Sequence, residues 1–136
     1  MDWAKLSLFD YEGVRRSVEF VETAAVTRGV VSHVYRFTND DGRDLAIVEV
    51  EPRCSTPLQR VVGAGETIEG WVSGAGTLTI TDVRGNEHRY DFRDPQLRPV
   101  SVQPGELMQW HADTAQPLVF FEICAPPYAD GRFENL

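Results

Sequence analysis

Glutamate and tryptophan alternate along one predicted strand in the middle of the chain, and this alternation is the first sign of chemistry. In the segment ETIEGWV, Thr67, Glu69 and Trp71 lie two residues apart, so their side chains share one face of a strand. The segment LMQWH places Met108 and Trp110 on one face in the same way. A carboxylate beside aromatic side chains is a candidate general acid or base, because burial raises its pKa towards neutrality.

Short apolar and β-branched segments separated by Gly and Pro turns predict an all-β protein. No segment has the length and period of a substantial helix, although residues 11–16 could form a short helical turn. The predicted strands are residues 18–24, 29–37, 44–50, 58–62, 67–73, 77–83, 88–92, 100–103, 107–112 and 117–124. Residues 125–136 contain two prolines and have no strand pattern, so we expect them to lie across the barrel wall or mouth.

Composition excludes several classes of function. The 136 residues predict one domain, and the net charge of −8 disfavours binding to a nucleic-acid backbone. No apolar run approaches the roughly 18 residues of a membrane helix, and the N-terminal residues lack the basic and apolar pattern of a signal peptide. We therefore expect a cytoplasmic protein with no membrane partner. Cys54 and Cys124 are far apart and in no metal-binding spacing, which favours two reduced, buried thiols.

Residues 56–80, TPLQRVVGAGETIEGWVSGAGTLTI, and residues 100–111, VSVQPGELMQWH, resemble the two sequence motifs of the cupin superfamily. The resemblance covers about residues 42–127 and is carried by the Gly turns and the Pro104-Gly105 turn. It implies a cupin-like antiparallel β-barrel, also described as a double-stranded β-helix or jelly roll. It also implies a single domain over residues 1–136, with an N-terminal extension (1–28), a barrel (29–124) and a tail (125–136). Such barrels often pair, so a homodimer is expected.

The residues that hold a metal in such motifs are replaced here. Gln59 and Val61 stand at the two His positions of the first motif, and Met108 stands at the His position of the second. Thr67 stands at the Glu position, with Glu66 one residue away. A divalent transition metal needs several convergent imidazole or carboxylate donors. The sequence therefore predicts no metal and no cofactor.

The resemblance also indicates which strand faces point inward. If positions 59 and 61 face the barrel interior, period-two geometry turns a whole set of side chains inward with them. The predicted cavity is lined by Gln59, Val61, Glu69, Trp71, Met108 and Trp110. Glu69 is the strongest catalytic candidate, because a buried carboxylate is costly unless it is paired or hydrogen-bonded. Gln59 is the second candidate, and the two tryptophans could equally be ordinary core.

Other residues are candidates for ligand contact. His33 and Tyr35 share a strand face that could reach the cavity, and Tyr128 could cap its mouth. By parity His111 faces away from the cavity unless a bulge intervenes. Glu122 is an isolated acid in the apolar segment PLVFFEIC, and the sequence leaves open whether it is paired inside the barrel or faces solvent.

Three functions are consistent with these residues. The first is a metal-independent enzyme in which Glu69 transfers a proton to or from a small organic substrate, as an isomerase, cyclase or dehydratase. The second is a ligand-binding barrel without catalysis. The third is a metalloenzyme with a different ligand set, drawn from Glu66, Glu69, His111 and Glu122. The fold alone does not decide among them.

Overall fold

Antiparallel strands make up nearly all of the computed structural model, which describes residues 1–63, 65–93, 98–127 and 133–136. A short 3-10 helix, Trp3–Lys5, precedes them. The strands in the described residues are β1 (Leu8–Tyr11), β2 (Val14–Thr27), β3 (Val30–Phe37), β4 (Asp40–Val50), β5 (Gln59–Val61), β6 (Glu66–Gly74), β7 (Gly76–Thr81), β8 (Glu87–Phe92), β9 (Val100–Val102), β10 (Leu107–His111), β11 (Leu118–Ala125) and β12 (Phe133–Asn135).

The strands form two sheets that pack face to face. The larger sheet has seven strands in the order β1-β2-β3-β4-β11-β6-β9, and the smaller has five in the order β12-β5-β10-β7-β8. The prediction of an all-β protein is therefore confirmed. No helix in the residues that the structure describes is long and apolar enough to cross a membrane.

The ends of the chain differ from the sequence-based expectation. The possible helical turn at residues 11–16 is absent, because Glu12 (φ 55°) and Gly13 (φ 71°) instead form the tight turn between β1 and β2. Left-handed backbone at two successive positions suits a hairpin turn and not a right-handed helix. The tail, for which no strand was predicted, contributes β12 through its pairing with β5. Within residues 1–28, β1 and β2 are strands of the large sheet.

Two apolar clusters lie on opposite faces of the seven-stranded sheet. The inner cluster fills the space between the sheets and includes Leu78, Phe92, Trp110 and Phe120. The outer cluster includes Tyr35, Leu45, Phe121 and Ile123, and the N-terminal segment packs against it. These side chains alternate along the same strands, as period-two geometry requires.

Strand register aligns the inner-face side chains of the large sheet in rows. One row, which we call the acidic row, runs across β2, β3, β4, β11 and β6 as Glu22, Val34, Ala46, Glu122 and Glu69. The neighbouring row runs across β3, β4, β11 and β6 as Arg36, Asp44, Cys124 and Thr67. The register therefore brings acids from four different strands onto one face of the sheet.

One glycine fixes the strand that carries Glu69. A Cβ atom on Gly70 would overlap the Phe121 ring, which packs directly against the backbone at that position. Phe121 in turn makes edge-to-face contacts with Phe9, at 5.1 Å between ring centroids, and with Tyr11 at 6.1 Å. The outer cluster therefore holds β6 from behind, at the residue next to Glu69.

Candidate functional site

A partly open cavity of about 670 Å³ lies between the two sheets. Its walls come mainly from β2, β3, β4 and β11 on one side and from β5, β10 and β12 on the other. Met108, Trp110 and Phe120 supply apolar surface, and Gln59 and Glu122 supply polar groups. The volume falls within the range of about 300–1,000 Å³ that is usual for small-molecule sites.

Glu69 is fully buried and lies one strand beyond the cavity wall, on β6. The indole Nε1–H of Trp110 donates a hydrogen bond to its Oε1 at 2.9 Å. Trp110 is itself 1% exposed and stacks on Phe120, with ring centroids 4.3 Å apart and planes 10° from parallel. This packing fixes the indole, so the carboxyl group of Glu69 has a defined position.

Glu122 is directly opposite Glu69 on the neighbouring strand β11, and their side chains share the inner face. Glu122 is half-buried and lines the cavity. Burial, followed by the negative charge of Glu122 and a hydrogen bond to its carboxyl group, raises the pKa of Glu69 well above its usual value. Trp110 and Thr67 offset only part of this effect on the pKa. Burial and the neighbouring carboxyl group thus favour the neutral form of Glu69 at pH values where an exposed glutamate is ionised.

The buried end of this pair has unused hydrogen-bonding capacity. Apart from the contacts of Glu69 with Glu122 and Thr67 that affect its pKa, the Oε2 atom of Glu69 and the Oγ1 atom of Thr67 have no hydrogen-bond partner, although both residues are fully buried. Thr67 is close enough to affect the pKa of Glu69. Buried polar atoms without partners are uncommon and often mark functional sites. Here they lie beside Glu122 and Cys124, the register neighbours that line the cavity.

The motif positions do not form a metal site. Gln59 donates its amide Nε2–H to Asn135 Oδ1 at 3.0 Å, and Val61 and Met108 are buried in the inner cluster. Glu66 lies on the exposed side of β6, where hydrogen bonds from Ser101 and Gln103 lower its pKa. In the described part of the chain no group of three His, Cys, Asp or Glu side chains could hold a metal ion. The residues therefore do not fit the metal that the motifs would imply.

His33 does not line the cavity, whereas Tyr35 packs in the outer cluster and also contributes to the cavity lining. His33 makes hydrogen bonds through Nδ1 to Thr23 Oγ1, at 2.8 Å, and through Nε2 to Glu49 Oε1, at 2.6 Å. Tyr35 donates its hydroxyl to the backbone oxygen of Trp3 at 2.6 Å, and burial raises its pKa to about 12. Of these two expected cavity residues, only Tyr35 is among the residues that line the cavity.

Two further candidates, Trp71 and His111, are not among the residues that line the cavity. Trp71 lies on the inner face, but the cavity covers a different part of the sheet, and its indole donates to the Gly74 oxygen at 2.9 Å. His111 faces away from Trp110 on β10 and bonds Ser55 Oγ through Nδ1 at 2.7 Å. It therefore does not converge with Glu66, Glu69 and Glu122 as an alternative metal ligand set. Tyr128 lies outside the described residues.

The structure places Glu122 and Thr67 next to Glu69, and the sequence analysis did not predict this proximity. The sequence marked Glu122 as an acid in an apolar strand, but its pairing with Glu69 depends on β11 lying next to β6. Glu69 and Glu122 are about fifty residues apart in sequence, and four other strands of the described residues, β7 to β10, lie between their strands. The periodicity of residues along one strand does not reveal which other strand pairs with it.

Comparison with known proteins identifies the fold of this chain but not its function. No protein-family model matches the sequence, and no curated protein is significantly similar to it in sequence. Similar solved structures include oxalate decarboxylase from Bacillus subtilis, with 20% identity and a TM-score of 0.67 over 87% of this chain. The capsular polysaccharide assembling protein CapF from Staphylococcus aureus has 11% identity and a TM-score of 0.70 over 88%.

A 7S globulin from Momordica charantia is also similar, with 16% identity and a TM-score of 0.64 over 85% of this chain. This chain spans 29% of the decarboxylase chain and 34% of each of the other two, about a third of their length. At such identities the similarity establishes architecture alone. The protein has the cupin fold, an antiparallel β-barrel of the jelly-roll type.

Proposed function

We propose that the protein binds a small organic molecule in the cavity and acts on it as a metal-independent enzyme. The observation that carries this proposal is the pairing of Glu69, fully buried, with Glu122, which lines the cavity. Perturbed carboxyl pairs in clefts are typical of acid–base sites. Glu122 is the catalytic residue in this proposal, and Glu69 is a positioning residue because it does not reach the cavity.

The pair can remove and return a proton without another cofactor. With Glu69 neutral and Glu122 ionised, Glu122 accepts a proton from a substrate atom, and the hydrogen bond from Glu69 stabilises the carboxylate before that transfer. The same proton is then returned to a different substrate atom, or to a departing hydroxyl group. Such a cycle is balanced for an isomerisation, a cyclisation or a dehydration.

Metal independence is part of the proposal. Its support is the chemistry of the motif positions, where Gln59, Val61 and Met108 provide no convergent imidazole or carboxylate donors. We expect the purified protein to contain far less than one equivalent of iron, zinc, manganese or nickel. A full equivalent in elemental analysis, together with loss of function on chelation, would contradict it.

Infrared spectroscopy tests the shared proton before any substrate is known. The wild-type protein at neutral pH should show the carbonyl stretch of a protonated, buried carboxylic acid, and Glu69→Gln should remove it. The matched control is Glu87→Gln, an exposed acid on β8, which should leave the band unchanged. A wild-type spectrum without this band contradicts the proposal.

A substrate found by ligand screening allows the catalytic test. Glu122→Gln should keep the fold and ligand binding while turnover falls by about two to four orders of magnitude. Glu69→Gln should change the pH dependence of turnover more strongly than it changes the maximal turnover rate. If a ligand binds in the cavity but neither change affects its conversion, the protein is a non-catalytic binding barrel, which is the alternative function.

We also propose a cytoplasmic homodimer built on a single domain. Among the described residues, β1 pairs with β2 only along Val14–Ser17, so the rest of that edge of β2 has no strand partner. Val21 and Val26 on β2 are 51% and 40% exposed. A second copy could cover this edge. Sedimentation at the mass of one chain would contradict the dimer.

A further inference from the structure

We propose that Thr23 is an activated nucleophile that accepts the acyl group of a small activated ester. His33 acts as its general base, and Glu49 is the positioning residue that orients His33. The supporting juxtaposition is a hydroxyl, an imidazole and a carboxylate joined by hydrogen bonds across the neighbouring strands β2, β3 and β4. None of these three residues lines the cavity, so the site does not depend on the proposed function.

Hydrogen bonds hold both nitrogens of the His33 ring. Nδ1 lies 2.8 Å from Thr23 Oγ1, and Nε2 lies 2.6 Å from Glu49 Oε1. Because a carboxylate only accepts hydrogen bonds, we assign the proton of the neutral ring to Nε2, and the Thr23 hydroxyl then donates to Nδ1. This order of hydroxyl, base and orienting acid is the arrangement of nucleophilic triads.

A comparison of the three histidines of the chain distinguishes His33 from the other two. The ring of His88 contacts the carboxylate of Asp82 at 3.0 Å, but within the described residues no hydroxyl group bonds to it. The ring of His111 contacts Ser55 Oγ at 2.7 Å, but no acid in the described part of the chain bonds to its other nitrogen. Among the described contacts, His33 alone thus combines a hydroxyl on one ring nitrogen with a carboxylate on the other.

A β-bulge in β2 places Thr23 beside His33. The register of β2 against β3 shifts between Phe20 and Glu22, and Thr23 is thereby opposite His33. Without this bulge Glu22 would be opposite His33 instead. Bulges redirect side chains and are frequent next to active sites. Glu49 lies two residues from the direct partner of His33 on β4, on the same face, which is within reach of a long side chain.

The surroundings of the three groups suit a nucleophile and its base. Thr23 is exposed, whereas His33 is only 9% exposed, so a reagent can reach the hydroxyl while the base is shielded from water. The Trp3 ring stacks on the imidazole, with centroids 6.1 Å apart and planes 26° from parallel. When His33 takes a proton, the Glu49 carboxylate and the Trp3 ring both stabilise the resulting imidazolium.

These groups are sufficient for a balanced acyl transfer. As Thr23 Oγ1 attacks the carbonyl carbon of the ester, its proton passes to Nδ1 of His33. The bond between the carbonyl carbon and the leaving oxygen then breaks, and Nδ1 gives the proton to that oxygen. The products are an ester of Thr23 and a free alcohol or phenol. Because Thr23 is exposed and not enclosed, we expect the reaction for esters whose leaving group departs readily.

The aryl ester p-nitrophenyl acetate tests this inference on the intact chain at neutral pH. The wild-type protein should release p-nitrophenolate, and mass spectrometry of its peptides should locate one acetyl group on Thr23. Thr23→Val, which keeps the β-branched shape and lacks the hydroxyl, should lower the release rate by at least about tenfold. Thr23→Ser should retain the reaction. The matched control is Ser55→Ala, at the hydroxyl–imidazole pair without an acid, and it should leave the rate unchanged.

Glu49→Gln tests the positioning role of the carboxylate. The amide oxygen can still accept a hydrogen bond from Nε2, but the negative charge is lost, so the release rate should fall by about tenfold. In proton nuclear magnetic resonance spectra, the Nε2–H signal of His33 should lie far downfield in the wild type and in Thr23→Val. The signal should move upfield in Glu49→Gln, which a purely structural role of Glu49 would not require.

Two kinds of result would overturn this inference. One is an acetyl group on a residue other than Thr23, or equal release rates for the wild type and Thr23→Val. The other is a rate that falls as much in Ser55→Ala as in Thr23→Val, or that is unchanged in Glu49→Gln. None of these variants alters a cavity-lining residue, so a failure here is distinct from a failure of the proposed function.

Discussion

The two faces of the seven-stranded sheet are built from alternate residues of the same strands, yet they differ in chemistry. On β11, Phe121 and Ile123 face the outer cluster, while Phe120 and Glu122 face the cavity. The outer face is closed by the N-terminal segment, with aromatic rings in edge-to-face contact. The inner face has a partly open cavity, paired carboxyl groups and buried oxygens without partners. The outer cluster is thus organised for stability and the inner face for chemistry.

Phe121→Ala should have the largest effect on stability, because it removes the ring at the centre of the outer cluster. We expect the free energy of unfolding to fall by about 3–5 kcal/mol in urea titrations. Val83→Ala, at a side chain that is 75% exposed, is the control and should change the free energy by less than about 0.5 kcal/mol. A loss below about 1 kcal/mol for Phe121→Ala would remove the distinction between the two faces.

Glu69 should make stability depend on pH. Its pKa is raised in the folded protein, so the folded state binds more protons than the unfolded state between the two pKa values. The contribution of Glu69 to stability should therefore be greatest below the usual pKa of a glutamate and fall as pH rises towards the folded value, by at most about 1.4 kcal/mol per pH unit.

The comparison variant is Glu69→Gln, which resembles the neutral acid and cannot ionise. Its unfolding midpoint should match that of the wild-type protein in mild acid and exceed it in mild alkali. The measurement is thermal unfolding across this pH series. Parallel curves for the two proteins would show that Glu69 does not carry the shared proton.

Trp110→Phe should cost about 1–3 kcal/mol of stability, since the Oε1 atom of Glu69 then loses its donor in a buried position. The same change should alter ligand affinity, because Trp110 lines the cavity. Trp71→Phe is the matched variant: it loses a hydrogen bond to the Gly74 oxygen at a half-buried site and should leave affinity unchanged. Equal effects of the two changes on affinity would mean that the cavity extends further over β6.

Thr67→Val should have the smallest effect. The hydroxyl of Thr67 is buried without a partner, so its removal avoids a desolvation cost and should leave stability unchanged or raise it by about 1 kcal/mol. Thermal unfolding measures this. A clear loss of stability would indicate that the contact of this hydroxyl with Glu69 is a stabilising hydrogen bond.

Local patterns predict the fold better than they predict the site. Gly and Pro turns and alternating strands were sufficient for an all-β barrel, and parity placed Glu69, Trp71 and Trp110 on the inner face, where the structure has them. The alternation of side chains along a strand does not indicate which strands are neighbours, so it could not predict the pairing of Glu69 with Glu122. The same limit explains why Trp71 was expected to line the cavity. An inward-facing side chain does not indicate which half of the barrel contains the cavity.

The N-terminus shows a second limit of local patterns. The sequence Tyr11–Glu12–Gly13 has a turn signal in Gly13, but a left-handed Glu12 is unusual for a non-glycine residue. The pairing of β1 with β2 imposes it. His33 was misplaced for a related reason, because the direction of β3 depends on its register with β4.

The contact between Gly70 and the Phe121 ring determines which parts of the protein could change during evolution or redesign. No side chain fits at Gly70, so β6 cannot shift its register without displacing the outer cluster. The residues Ser32, Ala46 and Val48 on β3 and β4 instead line the open space of the cavity. New ligand specificities would thus be expected to arise by enlarging these side chains, while the acid on β6 is retained.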